Sequence, residues 1–112
     1  MRERTRRISE LIKTEISNIA LRDLGEHAGF FTILAVDTDG DLKHAIIWYS
    51  YIGDDLDVLQ EELKRKVGYI QHTLNKRLSL KYVPKISFRY DKSAEYAQEI
   101  SHLFEEIKNE ER

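Results

Sequence analysis

Apolar residues recur at three- and four-residue intervals across the first part of the chain, over residues 4–22. This spacing places them along one side of an α-helix and predicts an amphipathic helix. Its stripe comprises Ile8, Leu11, Ile12, Ile16, Ile19 and Ala20. Two β-branched and aromatic runs follow, residues 31–37 and 43–51, on either side of the turn-forming pair Asp39-Gly40. The pattern therefore predicts a helix followed by a β-hairpin.

A second apolar seam follows the stretch "GDDLD", whose aspartates are suited to cap a helix. It predicts a long helix over about residues 56–78, with Leu59, Leu63, Val67, Ile70, Leu74 and Leu78 as its buried side. After the single proline, Pro84, the alternating run "KISFRY" predicts a third strand. Ser93 can cap a last helix, and residues 93–112 are expected to form this helix and an acidic tail.

The predicted order is αββαβ plus a C-terminal helix, an α+β fold in which helices pack mainly on one face of a three-stranded sheet. A chain of 112 residues suits a single domain over residues 1–112. Its 41% hydrophobic and 34% charged residues are ordinary for a globular protein, and no apolar run is long enough to span a bilayer. The absence of cysteine and of an apolar signal core after the charged N-terminus favours a cytoplasmic protein.

The net charge of −2 conceals a strong segregation of charge along the chain. Residues 26–63 carry one Lys or Arg against nine Asp or Glu, whereas residues 64–92 carry nine against one. A contiguous basic segment of this kind is suited to a polyanionic partner.

Gly68 lies inside this basic segment and in the interior of the second predicted helix. At about 100° per residue it falls roughly 140° from the apolar seam, so it is expected to face outward. Interior glycine costs a helix roughly 1 kcal/mol relative to alanine. Two interpretations remain open: a tolerated glycine on a solvated face, or a break whose freed N–H groups bind a phosphate.

Three blocks of the sequence together resemble the bacterial ribosome-binding factor A family. They are "RERTRRISELIKTEIS", "DTDGDLKHAIIWYSYIG" and "VGYIQHTLNKRLSLKYVPKISFRYD", which occur in the family's order and spacing. The resemblance covers about residues 2–100 and implies a KH-like domain of type II. It also implies a kink between two half-helices at Lys66-Val67-Gly68, with Lys66 in place of the family's usual alanine.

The same resemblance implies a non-enzymatic assembly factor that binds the immature small ribosomal subunit and aids maturation of its rRNA. It would act as a monomer without a cofactor, a small-molecule substrate or a membrane partner. Such a protein is expected to use Lys and Arg against phosphates, with few base-specific contacts. The candidate RNA-binding residues are Arg4, Arg6, Arg7, Lys64, Arg65, Lys66, Gly68, Gln71, Asn75, Lys76, Arg77 and Lys81.

Other candidate chemistry has little support. The run "DTDGD" begins like a calcium loop, but the glycine and glutamate required further along are replaced by Leu42 and Trp48, so a hairpin turn is favoured. The histidines form no metal-binding pair at helical spacing and indicate no general base. They are His27, His44, His72 and His102. No metal site is therefore predicted.

A different kind of function rests on the strand "AIIWYSY". If Ala45, Ile47 and Tyr49 face the helices, Ile46 and Trp48 point away from them. These two residues are expected to be covered by the last helix or a loop, or else to stack on RNA or form a partner surface. A protein-interaction or homodimerisation module without RNA binding is thus the alternative hypothesis.

Overall fold

The computed structural model describes residues 2–24 and 30–93, which form two helices and a three-stranded sheet. In chain order the elements are α1 (Arg2–Asp23), β1 (Phe31–Thr38), β2 (His44–Tyr51), α2 (Leu56–Arg77) and β3 (Lys85–Tyr90). The predicted order αββαβ is confirmed, with each boundary within two residues of its expected place. The predicted C-terminal helix lies outside the described residues.

The sheet has the strand order β1-β2-β3. β1 and β2 are antiparallel and joined by the predicted hairpin, whereas β2 and β3 are parallel. A parallel pair needs a crossover connection, and α2 supplies it. α1 packs on β1 and α2, and α2 packs on β3, so both helices cover one face of the sheet as predicted.

The core lies between this sheet face and the two helices. α1 contributes its isoleucines and Ala20, α2 contributes Leu59, Leu63, Ile70 and Leu74, and the central strand contributes Ala45, Ile47 and Tyr49. Leu11 was expected in the α1 stripe but is 49% exposed. It lies about 100° around the helix from Ile12, which puts it beyond the buried side.

A β-bulge in β1 was not predicted. Ile33 pairs with Tyr49 and Ala35 pairs with Trp48, so Leu34 is an extra residue between two consecutive pairs. The bulge shifts the alternation of side chains by one residue. As a result Thr38 is buried on the helix side, where its hydroxyl lies 2.7 Å from that of Ser9.

The hairpin loop is organised by Asp39. Its carboxylate accepts hydrogen bonds from the backbone N–H groups of Lys43 (2.9 Å) and His44 (3.1 Å). The positive φ of this loop is at Leu42 (61°) and not at Gly40. The His44 N–H is the main cause that holds the pKa of Asp39 below its ordinary value.

The start of α2 differs from the prediction in one contact. Asp55 occupies the N-cap position, but its side chain makes no capping hydrogen bond. Its carboxylate instead accepts the hydroxyl of Tyr51 at 2.5 Å. This bond ties the end of β2 to the start of α2. No helix within residues 2–24 and 30–93 is long and apolar enough to cross a membrane.

Candidate nucleic-acid interface

The basic residues in the middle of α2 lie beside carboxylates of the preceding helical turn. Lys64 is 3.8 Å from Glu61, Arg65 pairs with Glu62, and Lys66 is 3.2 Å from the same Glu62. The acidic and basic segments of the sequence therefore meet inside one helix. Lys64 and Arg65 remain exposed, and exposed pairs of this type contribute only about 0–1 kcal/mol, so a phosphate can compete for them.

Lys66 has a further partner on α1. Its ammonium donates a 2.6 Å hydrogen bond to the backbone carbonyl of Asp23, the last residue of α1. A helix ends with carbonyls that have no intrahelical partner and carries partial negative charge there. Lys66 therefore stabilises the end of α1 and holds it against α2.

Gly68 faces outward, as predicted, and a Cβ at this position would meet nothing within 4 Å. α2 continues through it without a break, so the division into two half-helices is wrong for this structure. The buried residues Leu63, Ile70 and Leu74 flank it on the core side. Burial of each contributes about 1.5–3 kcal/mol, which exceeds the roughly 1 kcal/mol cost of interior glycine.

A shallow groove of about 410 Å³ lies beside Gly68, between α2 and the start of β3. Gln71, one of the residues that line the groove, forms hydrogen bonds with the backbone. Its side-chain NH2 donates to the Pro84 carbonyl (3.2 Å), and its side-chain oxygen accepts the N–H of Ile86 (2.8 Å). The same amide donates to Asn75 at 3.0 Å. Gln71 thus connects α2 to β3, and it also bonds Asn75, the second predicted RNA ligand, on its own helix.

A second group of predicted residues meets at one end of the molecule. There the start of α1, the β1–β2 hairpin loop and residues 78–84 surround a cavity of about 660 Å³. Arg4 and Lys81, far apart in sequence, both line it. Lys43 and Tyr82, which were not predicted, line it too. Tyr82 stands between Lys81 and Pro84 in the basic segment, a position from which an aromatic contact to RNA was inferable.

The remaining predicted residues lie outside these two groups. Arg6 pairs with Glu3 (2.8 Å) within α1, and Arg77 pairs with Glu15 (3.2 Å) between α2 and α1. Arg7 and Lys76 are exposed and form no ion pair with any residue in the described part of the chain. The structure therefore brings only part of the predicted set together: Arg4 meets Lys81 at one end, Gln71 and Asn75 line the groove beside Gly68, and Arg77 is directed toward α1.

The comparison with known proteins settles the family. The family model described as "Ribosome-binding factor A" matches residues 4–104. The chain belongs to this family. Ribosome-binding factor A of Halothermothrix orenii is 38% identical over 98% of this chain and 93% of its own length. That of Trichlorobacter lovleyi is also 38% identical, over 94% of this chain and 88% of its own.

Solved structures carry the same fold. The crystal structure of ribosome-binding factor A from Thermus thermophilus matches with a TM-score of 0.67 at 14% identity, covering 77% of this chain and 94% of that one. A model of the Thermus thermophilus protein, fitted into a cryo-EM map of its complex with the 30S subunit, matches with a TM-score of 0.59 at 18% identity. That match covers 73% of this chain and 89% of the other. The predicted KH-like α+β fold is confirmed.

In this member of the ribosome-binding factor A family, Ile46 and Trp48 lie on the sheet face opposite α1 and α2, because their neighbours Ala45, Ile47 and Tyr49 are buried under the helices. Both are half-buried. Each of them therefore keeps part of its surface on that sheet face, and a partner surface there stays a prediction.

The carboxylates of "DTDGD", which resemble the start of a calcium loop, lie in the β1–β2 hairpin. The Asp39 carboxylate of "DTDGD" bonds backbone N–H groups and lies 3.3 Å from Nδ1 of His44, so it serves the turn. Within residues 2–24 and 30–93, no three acidic or histidine side chains are grouped to hold a metal ion. His27 and His102 lie outside the described residues.

Proposed function

We propose that this protein is a non-enzymatic assembly factor of the small ribosomal subunit, which binds immature subunits as a monomer in the cytoplasm and aids maturation of their rRNA. The observation that carries the proposal is the family match over residues 4–104. The Thermus thermophilus relative, which shares the fold, has been fitted into a map of a 30S complex. The exposed cations of this chain give the proposal a physical basis.

The proposed binding mode is electrostatic. Lys76, Arg7 and Lys81 are exposed, and Lys64 and Arg65 have only weak competing partners on their own helix. Each phosphate that such a residue neutralises releases counterions from the RNA. Affinity for the subunit should therefore fall steeply with salt, by roughly 0.7–0.9 units of log–log slope per phosphate contact.

Gln71 and Asn75 contribute to this surface by shape. The hydrogen bonds of Gln71 hold β3 against α2, Asn75 accepts a further bond from Gln71, and this arrangement fixes the groove beside Gly68. Gly68, which carries no side chain, leaves that groove open to a close-approaching backbone. We thus assign Gln71 and Lys66 to the positioning of the surface, and the exposed cations to contact with phosphate.

The test is co-sedimentation of the purified protein with immature and mature small subunits across a salt series. We expect preferential binding to immature subunits, with affinity that falls linearly in the log–log plot. The variants Lys76→Gln and Lys81→Gln should each reduce the slope by about one unit. Lys13→Gln, an exposed lysine of α1 outside the predicted set, is the matched control.

Two results would overturn the proposal. One is binding to neither kind of subunit. The other is a stable dimer in sedimentation at micromolar concentration that does not bind subunits, which would support the interaction-module hypothesis.

A further inference from the structure

Tyr82 is the most exposed large hydrophobic residue among those that the structure describes, with 79% of its surface accessible. It makes no hydrogen bond and no packing contact with another aromatic ring within residues 2–24 and 30–93. Its partner within the described chain is the Lys81 ammonium, 5.8 Å from the centre of the ring. The fold itself makes little use of this side chain.

The loop that carries Tyr82 is nevertheless fixed at both ends. Leu78 is buried and closes α2 with a backbone hydrogen bond to Leu74, and Pro84 is fully buried. Gln71 holds the Pro84 carbonyl, and the Lys85 N–H donates to the Lys43 carbonyl at 2.9 Å. Because the loop is anchored, little conformational entropy is lost when a ligand meets the tyrosine ring.

The surroundings of the ring are cationic. Three cations, Arg4, Lys43 and Lys81, line the cavity next to Tyr82. The lining contains one carboxylate, that of Asp41. Apolar side chains such as Leu42 also line the cavity. At about 660 Å³ it falls within the roughly 300–1,000 Å³ of ordinary small-ligand sites. An aromatic ring beside apolar surface, with cations around the edge, is complementary to a flat base attached to phosphates.

We infer that Tyr82 is a stacking platform for one unpaired nucleotide of RNA, whose flanking phosphates are held by Arg4, Lys43 and Lys81. The inference rests on the proposed function and adds a base contact to a surface otherwise assigned to phosphates. Single-stranded RNA is suited to this site, because only an unstacked base presents its face to an aromatic side chain. Recognition by stacking requires no particular base.

The first test compares the affinity of wild type, Tyr82→Ala, Tyr82→Phe and Tyr69→Ala for immature small subunits across the same salt series. Base–aromatic stacking predicts that Tyr82→Ala weakens binding about 5- to 160-fold without a change in salt slope. Tyr82→Phe, which keeps the ring, should remain within about twofold of wild type. Tyr69→Ala, which removes a 55% exposed tyrosine beside Gly68 on α2, should weaken binding less than Tyr82→Ala, because no group of cations and apolar residues around a cavity is assigned to it.

The stacking inference is overturned if Tyr82→Ala binds as tightly as wild type, or if Tyr82→Phe loses as much affinity as Tyr82→Ala. Either result leaves the proposed function intact, since wild type still binds. Failure of wild type itself to bind subunits overturns both.

The second test is ultraviolet cross-linking of the wild-type complex followed by trypsin digestion and mass spectrometry. Cleavage after Lys81 and Lys85 isolates Tyr82 in a peptide of residues 82–85. A nucleotide adduct on this peptide is expected. If nucleotide adducts form on other peptides but not on the peptide of residues 82–85, the RNA binds elsewhere and the inference is overturned.

Discussion

The Lys66 ammonium and the Asp23 backbone carbonyl, 43 residues apart in sequence, form a 2.6 Å hydrogen bond that joins the middle of α2 to the end of α1. Glu62 lies 3.2 Å from the same ammonium. Lys66 is thus a structural residue of the helix pair, although its sequence context of consecutive cations favours a role in binding RNA. The two roles make different predictions.

Lys66→Gln should lower the free energy of unfolding by about 1–2 kcal/mol, because a charged donor is lost from a carbonyl at a helix end. Lys64→Gln, on the same helix but 78% exposed in its side chain, should change it by less than about 0.5 kcal/mol. Urea denaturation of both variants measures this difference. Equal stabilities of the two variants would contradict the structural role of Lys66.

Gln71→Ala should destabilise the protein by about 1–3 kcal/mol, because the N–H of Ile86 and the carbonyl of Pro84 both lose their side-chain partner. Asn75→Ala removes a single hydrogen bond from Gln71 and should cost less than about 1 kcal/mol. Urea denaturation compares them. A Gln71→Ala variant of normal stability that fails to bind subunits would instead support direct contact between Gln71 and RNA.

The helices and strands were predictable from sequence because each has its own periodicity. The seam of Leu59, Leu63, Ile70 and Leu74 determines both the extent of α2 and its buried side. The bulge at Leu34 was not predictable, since the run "FTILAVD" allows side chains to alternate without interruption. Its position depends on pairing with Tyr49 and Trp48, which is a tertiary property.

The candidate site was predictable only as a basic segment. Charge counting along the chain cannot show that Lys66 reaches the Asp23 carbonyl, or that Arg4 reaches the same cavity as Lys81. Both relationships depend on how α1 lies against α2 and the hairpin. The sequence indicates Tyr82 only through its place in the basic segment; the exposure that distinguishes it from the other tyrosines is a property of the folded chain.

Gly68→Ala should raise the free energy of unfolding by about 0.5–1 kcal/mol, because α2 is continuous at Gly68 and a Cβ meets open space. Thermal or urea unfolding measures the gain. A stabilised variant that binds subunits less tightly would show that α2 must bend at Gly68 when bound. Lower stability of the free variant would contradict the uninterrupted helix.

Gly53→Ala is the matched comparison for Gly68→Ala. Gly53 has a φ of 157°, and a Cβ there would lie 2.8 Å from the hydroxyl oxygen of Tyr51. That hydroxyl donates a hydrogen bond to Asp55, so the Tyr51 ring cannot move away from the added Cβ without losing this bond. We expect destabilisation of at least about 1 kcal/mol, opposite in sign to the effect at Gly68.

The hairpin loop gives a prediction for acid stability. The N–H groups of His44 and Lys43 hold the pKa of Asp39 below its ordinary 3.8. A carboxyl group whose pKa is lower in the folded state stabilises the fold above the unfolded pKa, and this contribution is lost as pH falls through the folded pKa. Unfolding free energy should therefore decline below about pH 4 in part through Asp39.

The variant Asp39→Asn isolates this contribution, because its amide oxygen can still accept an N–H but does not titrate. The stability difference between wild type and Asp39→Asn should be largest near neutral pH and should shrink as pH falls below 3.8. Asp37→Asn, in the adjoining strand, controls for the general loss of a negative charge. Urea denaturation at intervals from about pH 2 to 7 measures all three proteins. If the wild-type and Asp39→Asn curves stay parallel down to the lowest pH, the carboxylate of Asp39 does not stabilise the loop by ionisation.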